Sequence, residues 1–508
     1  MNTFMNSLNN EYNWKLTENG GVAHKTTNSK VYDMFALGAA YRSRSDADVL
    51  KLFADAFHED PTLALKCLFY IRDCRGGQGE RRFFRLCVKQ LANKRPYVLK
   101  NLIQYFPEYG RYDDWFVLFE TPLQRDVMAA IAEQLKVDMT CKKNAVSLLA
   151  KWLPSENASS KETIKRAKLI RSYLGITSKQ YRMMLSRLRE KINVLERLMS
   201  ANKWEEIEFD KIPSKAGLVY KNAFARRDII AKKYEHFAKD ANTKVNAATL
   251  YPYEVVAKAT KGMNHWSYSY HKNQLSDVDR AMVNKYWENL PDYFDGKPAS
   301  MMCVVDTSGS MTGEKAAAPI NVAISLGMYC AERLNGPFKN HYISFSSRPQ
   351  LIEISGYDFV DKVERIYRTN LCENTDLTGT FDMLLRVATR PGVKESDIPK
   401  TIVVISDMEI DRGTGSWYGN RTNRNWTKEK TASEMEKIRM EWARAGLEMP
   451  RLVYWNVDAR QNTILDSGPN VSFVSGMSPS IFKQVITGKN GYDLMLETIC
   501  SKRYEVIK

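Results

Sequence analysis

The hydrophobic period of this 508-residue chain changes near Lys297, and that change limits the folds open to it. Before this point, apolar residues recur at spacings of three and four, which is typical of amphipathic helices. After it, short apolar runs alternate with helical patterns, and that alternation predicts a parallel, doubly wound sheet with helices on its faces. We therefore expect an all-α half followed by an α/β half.

The helical pattern forms successive short segments from about Ser45 to Ser200, such as DADVLKLFADAFH, PTLALKCLFYIRDC and PLQRDVMAAIAEQLK. Helix pairs recur about every 35 to 45 residues without a clean consensus, which indicates irregular HEAT-like helical repeats. The segment NAFARRDIIAKKYEHFAKDA continues the pattern. The predicted parts are a polar N-terminal segment at 1–30, a helical-repeat domain at 31–298 and an α/β domain at 299–508.

The two halves differ in charge. Residues 301–508 hold 26 Lys and Arg against 25 Asp and Glu, so nearly all of the net charge of +16 lies in residues 1–300. A basic half of this kind favours an anionic partner such as nucleic acid.

Composition excludes a membrane protein. The chain has no apolar run of about 18 residues, and its first thirty residues lack the apolar core of a signal peptide. The 8 cysteines are scattered singly, which favours reduced thiols over disulfides or zinc. We therefore expect a cytoplasmic protein without membrane contact.

Two apolar runs in the second half end at an acid: MMCVVD ends at Asp306, and TIVVIS is followed by Asp407. Because carboxyl ends of parallel strands share one edge of a sheet, both acids should lie where doubly wound folds bind ligands. Ser308 and Ser310 follow in the pattern D-x-S-x-S, so one loop presents a carboxylate and two hydroxyls. These hard oxygen donors favour a cation that retains some water, Mg²⁺ over Ca²⁺.

A structural role is the alternative for this loop. Asp306 can cap the following helix, and Ser308 can satisfy backbone donors. The second acid at Asp407, together with threonines in the intervening segment NTDLTGTFDMLL, favours the metal interpretation.

The segment VVDTSGSM resembles the metal-ion-dependent adhesion site (MIDAS) of von Willebrand factor A domains. In that family, one loop contributes Asp, Ser and Ser, a later loop contributes Thr, and a strand-end Asp completes the site. The resemblance implies a Rossmann-like von Willebrand factor A domain that binds Mg²⁺ or another divalent cation. The metal-binding residues implied are Asp306, Ser308, Ser310, Thr375 and Asp407, with Thr378 and Thr380 as alternatives to Thr375.

Two helical stretches, LKCLFYIRDCRGGQGERRFFRLC and PEYGRYDDWFVLF, resemble the TROVE helical-repeat module of Ro-type RNA-binding proteins. They are more similar still to an uncharacterised family that pairs this module with an A domain. In Ro proteins the repeats form a ring, and small structured or misfolded RNAs bind its basic surface and hole. The resemblance implies an RNA-binding scaffold, a ribonucleoprotein component.

The segment Lys161–Lys191 carries ten basic and two acidic residues with two interleaved tyrosines. Such a helical face can neutralise phosphates while its tyrosines stack on unpaired bases, although a solvated helix face is the common alternative. The turn RGGQGERR adds three arginines, but it lacks the Lys-Ser/Thr of a nucleotide-binding loop and is predicted to connect two helices. The predicted RNA-binding residues are Lys161, Lys165, Arg166, Lys168, Arg171, Tyr173, Lys179, Tyr181, Arg182, Arg187, Arg189, Arg75, Arg81 and Arg82.

A polar and aromatic segment at 413–430, GTGSWYGNRTNRNWTKEK, is a candidate rim of the metal site or a contact for a partner. An exposed loop without such a role is the alternative.

We expect a binding protein and no enzyme, because no Ser-His-Asp or Cys-His set is identifiable. The expected partners are small non-coding or misfolded RNA and a protein that presents an acidic residue to the metal. Two alternatives are a metal-dependent protein-adhesion module without RNA and an Mg²⁺-dependent enzyme, either a nuclease or an accessory to a chelatase-like ATPase. A nuclease would normally need more acidic ligands than this loop set offers.

Overall fold

The computed structural model describes residues 13–142, 145–192, 194–260, 275–313, 315, 317–345, 349–369, 376–410, 434–466, 468 and 470–508. It consists of a mainly helical half followed by an α/β half, as the hydrophobic periods predict, and the helical half also contains a short β-hairpin that they do not predict. Within this part of the chain, no helix has the length and apolar character needed to cross a bilayer.

The N-terminal half begins with a two-stranded hairpin and continues as helices joined by short turns. Its elements are β1 (Trp14–Leu16), β2 (Val22–His24), α1 (Lys30–Leu37), α2 (Asp46–Glu59), α3 (Pro61–Arg72), α4 (Arg81–Lys94), α5 (Pro96–Lys100), α6 (Phe106–Tyr109), α7 (Gln124–Thr140), α8 (Leu149–Trp152), α9 (Lys161–Leu174), α10 (Ser178–Lys191), α11 (Leu195–Ser200), α12 (Ser214–Ala225), α13 (Asp228–Lys239), α14 (Pro252–Ala259) and α15 (Asp277–Glu288).

The first repeat shows how the sequence sets a helix pair. Ser45 caps α2, and its hydroxyl accepts the backbone N–H of Asp48. Asp60 ends α2 and caps α3 at once, and Pro61 occupies the first position of α3, where its missing N–H costs nothing. A single residue therefore joins the helices, which pack as neighbours along their buried apolar faces.

The C-terminal half is built on a six-stranded sheet with the order β5-β4-β3-β6-β7-β8. The strands are β3 (Met301–Asp306), β4 (His341–Phe345), β5 (Gln350–Glu353), β6 (Thr401–Ser406), β7 (Arg451–Asn456) and β8 (Val471–Ser475). The helices are α16 (Pro319–Arg333), α17 (Phe359–Thr369), α18 (Leu377–Ala388), α19 (Glu434–Arg444), α20 (Phe482–Val485) and α21 (Gly491–Ile499).

Five strands are parallel, and the edge strand β5 pairs antiparallel with β4. The apolar pattern of the sequence does not predict β5. Every residue of β3, β6 and β7 is buried. Burial on both faces explains why these strands appear in the sequence as continuous apolar runs. The chain leaves β3 toward β4 on one side and later returns to β6 on the other, so the switch point of the sheet lies between β3 and β6.

The turn at residues 75–79, predicted to connect two helices, also joins the two halves. Asp73 just before it is fully buried and receives hydrogen bonds from Arg503 and from the Tyr504 hydroxyl, the latter at 2.9 Å. On the same turn, the backbone oxygen of Gly77 accepts a hydrogen bond from Ser480 at 3.1 Å. The C-terminal residues of the α/β half therefore pack directly under this turn.

The first helix, α1, lies against the edge of the sheet at β8, a contact that no local pattern predicts. The Tyr32 hydroxyl accepts the backbone N–H of Phe473 at 2.9 Å, and Ser475 donates to the backbone oxygen of Phe35 at 3.1 Å. The hairpin β1–β2 also reaches the α/β half, because His24 and Ile464 exchange two backbone hydrogen bonds of 2.7 and 3.1 Å.

The end of the helical half returns to its beginning. The Tyr251 hydroxyl, just before α14, donates to the backbone oxygen of Gln78 at 3.2 Å, across 173 residues of sequence. A side chain on Gly79 would meet that hydroxyl, and Gly79 has φ +65°, so the position favours glycine on both counts. Gly79 and Tyr251 both line a cavity that is open to solvent.

Candidate functional site

The loop after β3 and the loop after β6 meet at the carboxyl edge of the sheet. Asp306 and Asp407 are fully buried there. Asp306 accepts the backbone N–H of Ser308 at 2.9 Å and the hydroxyl of Ser406 at 2.6 Å. The hydroxyls of Ser308 and Ser310 lie 3.1 Å apart. The structure therefore brings together four of the five residues predicted to bind the metal.

Two buried carboxylates at one place disfavour ionisation. Burial and, after it, the charge of Asp407 raise the pKa of Asp306 to about 7. Burial also raises the pKa of Asp407, although the N–H of Glu409, the guanidinium of Arg460 and the Ser310 hydroxyl oppose that rise. The site therefore favours the neutral form of these carboxyls, and a nearby cation would favour their ionised form.

Arg460, in the loop after β7, is a member of the site that the sequence did not indicate. Its Nη2 donates to Asp407 Oδ2 at 3.1 Å and to the backbone oxygen of Ser310 at 2.8 Å. Its Nη1 donates to Glu18 Oε2 at 3.0 Å. One guanidinium therefore links three segments that are far apart in the chain.

Thr375, the preferred threonine of the prediction, lies outside the described residues, as does the segment 413–430. Of the two alternatives, Thr380 is buried, and its hydroxyl lies 3.4 Å from the backbone oxygen of Asp376, to which it donates. Thr378 is half-buried in the first turn of α18.

The donors present fit a hard cation. Carboxylates and hydroxyls are oxygen ligands of the kind that Mg²⁺ prefers, and two buried acids gain from a nearby positive charge. Among the described residues, no group of three or more His, Cys, Asp or Glu side chains is placed to hold a metal. A cation at Asp306 and Asp407 would therefore depend on hydroxyl and water ligands as well.

A further acid, Glu409, lies two residues after Asp407 in the loop after β6. Glu409 is buried, and burial raises the pKa of its carboxyl. Its carboxylate accepts the backbone N–H of Glu18 at 2.8 Å and the hydroxyl of Thr463 at 3.0 Å. Thr17 and Asn19 donate to the backbone oxygens of Ile410 and Glu409, both at 2.6 Å. The turn of the β1–β2 hairpin is thus fastened beside the candidate cation site.

The helical half contains a cavity of about 990 Å³ whose wall is strongly basic. Eight Lys and Arg residues line it against two Glu residues, together with five Tyr and Trp side chains. The basic residues are Arg42, Arg72, Arg75, Arg81, Arg82, Arg111, Lys151 and Lys215, and the aromatic residues are Tyr112, Trp115, Trp152, Tyr251 and Tyr253. The lining residues lie between Arg42 and Tyr253, and none of them comes from α9, α10 or α11.

Cations and aromatic rings are paired along this wall. The Arg111 guanidinium lies 4.1 Å from the centre of the Trp152 ring, and Lys215 Nζ lies 4.7 Å from that of Tyr251. Arg81 is an exposed residue whose guanidinium is nevertheless partly desolvated by its neighbours. This desolvation and, after it, the charges of Arg85 and Arg111 lower the pKa of Arg81. The charges of Asp113 and Asp114 oppose this lowering, and an anion in the cavity would oppose it too.

The predicted RNA-binding residues fall into separate groups. Arg75, Arg81 and Arg82 line the large cavity. A neighbouring cavity of about 410 Å³ is bordered by Arg81 and Arg82 and also by Lys165 and Arg166. A groove on the outer side of α9 is lined by Lys161, Lys165, Lys168 and Arg171. The basic surface is thus continuous from the interior to α9.

The face of α10 differs from the prediction in two places. Tyr181 is fully buried, and its hydroxyl donates to the backbone oxygen of Pro154 at 2.9 Å, so it cannot stack on a base. Arg189 donates to the backbone oxygens of Ala150 and Leu153 at 2.9 and 2.8 Å, which satisfies the end of α8. We correct both assignments to structural roles.

The remaining predicted residues differ in availability. Lys165 pairs with Glu120, Arg166 with Glu162, and Arg171 with Glu156, so phosphate would have to compete for these three. Arg82 also pairs, with Asp46. The predicted residues of the segment Lys161–Lys191 that are exposed are Lys161, Lys165, Lys168, Tyr173, Lys179, Arg182 and Arg187.

Sequence reasoning missed the aromatic and basic residues that complete the cavity wall, such as Trp152, Tyr251 and Lys215. They come from separate elements, and no local spacing relates them. For Tyr181 a signal existed, because Tyr181, Leu185 and Leu188 share the spacing of one helix face and all three are buried.

Two family models match the chain, both described as domains of unknown function: DUF2828 over residues 17–108 and 156–295, and DUF7788 over residues 300–504. The chain is 27% identical over 520 residues to the uncharacterized protein L728 of Acanthamoeba polyphaga mimivirus, an alignment covering 94% of this chain and 85% of the viral protein. The crystal structure of the Deinococcus radiodurans RO (RSR) protein aligns over 93% of this chain and 99% of its own, at 13% identity and a TM-score of 0.37. The chain is therefore similar to two families of unknown function, one in each half.

Proposed function

We propose that this protein is an RNA-binding scaffold whose helical half holds a single-stranded part of a small structured or misfolded RNA in the basic cavity. The observation that carries this proposal is the cavity wall, where exposed or half-buried basic side chains lie beside the half-buried rings of Tyr112, Trp152 and Tyr251. These basic residues are Arg75, Arg81, Arg82, Lys151 and Lys215, whereas Arg72 is buried in an ion pair with Asp114. Cations neutralise phosphates, and aromatic faces stack on unpaired bases regardless of sequence.

The size and position of the cavity support a single strand over a duplex. A cavity of about 990 Å³ accommodates a few nucleotides, and the bases of an unpaired strand are free to stack on its rings, whereas those of a duplex are stacked on one another. The groove along α9, with Lys161 and Lys168, offers phosphate contacts outside the cavity for a neighbouring structured segment. The resemblance of the helical stretches to the Ro-type module points in the same direction.

Fluorescence anisotropy with two labelled RNAs tests this function. A hairpin with a single-stranded tail should bind more tightly than the same hairpin with a blunt end. Arg81→Glu and Lys151→Glu should each weaken tail binding and flatten its salt dependence, by about 0.7 in the log-log slope for one lost phosphate contact. Lys400→Glu, at an exposed lysine of the α/β half, is the matched control and should leave both unchanged. Equal binding of the two RNAs contradicts the proposal.

We further propose that the α/β half captures an acidic protein segment through a divalent cation, Mg²⁺ or a similar ion, held by Asp306, Ser308, Ser310 and Asp407. Two buried acids with adjacent hydroxyls favour this role. The cation would supply a positive charge for an outside carboxylate. Pull-down with the full-length chain in Mg²⁺ and in EDTA tests it, and partners that resist both EDTA and Ser308→Ala contradict it.

We propose a binding role over an enzymatic one, because the carboxylates of Asp306, Asp407 and Glu409 each accept a hydrogen bond from a side chain of the protein itself, from Ser406, Arg460 and Thr463. An Mg²⁺-dependent nuclease is the competing candidate. It predicts cleavage of the tailed RNA in Mg²⁺ that Asp306→Ala abolishes, whereas the binding role predicts intact RNA with both proteins.

A further inference from the structure

The β1–β2 hairpin brings a carboxylate of the chain itself to the candidate cation site. Glu18 lies in the hairpin turn, and its Oε2 accepts a hydrogen bond from Arg460 Nη1 at 3.0 Å. Nη2 of the same guanidinium donates to Asp407 at 3.1 Å and to the Ser310 backbone at 2.8 Å. Arg460 therefore joins the hairpin carboxylate to the two loops of the site.

This carboxylate is a part of the site that solvent reaches, as is the half-buried Ser310. The side chains of Glu18 and Arg460 are 37% and 33% exposed, whereas that of Asp407 is fully buried. Gln461 lies 3.4 Å from the other carboxylate oxygen of Glu18 and donates to it. An outside ligand would therefore meet the Glu18–Arg460 pair before it met the buried acids.

We propose that Arg460 is a carboxylate-binding residue at this site and that Glu18 is its resident occupant, which an acidic segment of a partner protein replaces. This inference rests on the proposed capture of an acidic partner. The exchange replaces one carboxylate by another, so the charge around Asp407 is unchanged. Guanidinium and carboxylate form strong, directional hydrogen bonds, which makes Arg460 suited to this recognition.

Glu18 also determines how tightly a partner segment must bind Arg460 in order to displace it. Glu18 is tethered by the backbone contact of its own N–H to Glu409, at 2.8 Å, so it competes at high effective concentration. Weak or isolated carboxylates should fail to displace it, whereas a segment with further contacts should succeed. Once the Glu18 carboxylate is removed, small carboxylates should therefore be able to bind Arg460.

The test uses the full-length chain and monofluoroacetate as the probe, observed by ¹⁹F NMR line broadening. Glu18→Ala should produce saturable broadening that the unmodified chain lacks. Arg460→Gln added to Glu18→Ala should weaken this binding about tenfold, because a charged hydrogen bond is lost. Asn19→Ala is the matched control, since it removes a hairpin contact to Glu409 and leaves Glu18 on Arg460. Glu18→Gln repeats the measurement with a side chain of nearly the same size.

Four results overturn the proposal, and the first three are no saturable broadening in either Glu18 variant, probe affinity that Arg460→Gln leaves unchanged, and equal broadening in Asn19→Ala. Displacement of the probe by inorganic phosphate at lower concentration than by acetate also overturns it, because the place would then suit an RNA phosphate. Comparison of Mg²⁺ with EDTA separates this inference from the proposed function. Probe binding that is equal in both supports the role of Arg460 and removes the cation from acid capture.

Discussion

Asp73 and Arg503 lie 430 residues apart in the chain and form an ion pair, with Arg503 Nη2 at 2.8 Å from Asp73 Oδ1. Asp73 precedes the turn at residues 75–79, whose Arg75 and Gly79 line the basic cavity. Arg503 belongs to the α/β half and also packs over the Tyr109 ring at 5.2 Å. The wall of the proposed RNA site is therefore supported from beneath by the other half of the protein.

Asp73→Ala should destabilise the whole chain. The substitution leaves the buried Tyr504 hydroxyl and the half-buried Arg503 without their shared acceptor, which we expect to cost about 2–3 kcal/mol of unfolding free energy. Urea denaturation followed by circular dichroism measures it. Glu235→Ala, which breaks an exposed pair with Lys239, should leave the midpoint unchanged. An unaltered midpoint for Asp73→Ala would show that the halves are held together elsewhere.

Asp306→Asn should stabilise the metal-free protein at high pH. The folded-state pKa of Asp306 is raised from 3.8 to about 7, so the buried charge lowers stability progressively as pH rises through that window. The gain in Tm from Asp306→Asn, measured in EDTA, should therefore be small at pH 4 and full at pH 8. A gain that is independent of pH would mean that Asp306 does not carry this charge.

Mg²⁺ should stabilise the unmodified chain and not the Ser308→Ala variant. A ligand that binds only the folded state adds about 2.7 kcal/mol at a concentration 100 times its Kd, which a Tm titration detects. Thr312→Ala is the control in the same loop, since the Thr312 hydroxyl donates to Gly309 rather than toward the site. Equal responses of the two variants would return the serines to a structural role.

Asp306→Ala should leave RNA affinity within about twofold, because no residue of the candidate cation site lines the basic cavity. Anisotropy with the tailed hairpin RNA, in Mg²⁺ and in EDTA, measures this. Parallel loss of RNA and Mg²⁺ binding in a folded variant would instead indicate RNA held through the metal.

The five parallel strands and the two acids could be predicted because their signals are local. Buried parallel strands require continuous apolar runs, and doubly wound topology places Asp306 and Asp407 at one sheet edge without knowledge of any distant contact. The irregular helical half was likewise evident from its period, since each helix buries one apolar face.

The remaining features depend on residues that are distant in sequence. Arg460 reaches Glu18 across 442 residues, and Tyr251 reaches Gln78 across 173. No spacing or composition encodes such contacts, so the hairpin, the packing of the halves and the cavity were not predictable. The density of positive charge led to a wrong prediction of RNA binding for Arg189. In a sequence, an arginine that hydrogen-bonds the carbonyl groups at a helix end cannot be distinguished from one that binds phosphate.

The measurement that tests the central claim most directly is photo-crosslinking of a hairpin RNA that carries 4-thiouridine in its single-stranded tail, followed by mass spectrometry of the crosslinked peptides. If the tail occupies the basic cavity, the crosslinks should map to its half-buried aromatic residues Tyr112, Trp152 and Tyr251. They should weaken with Arg81→Glu and persist with Lys400→Glu. Crosslinks confined to residues 301–508, or unchanged by Arg81→Glu, would contradict the account.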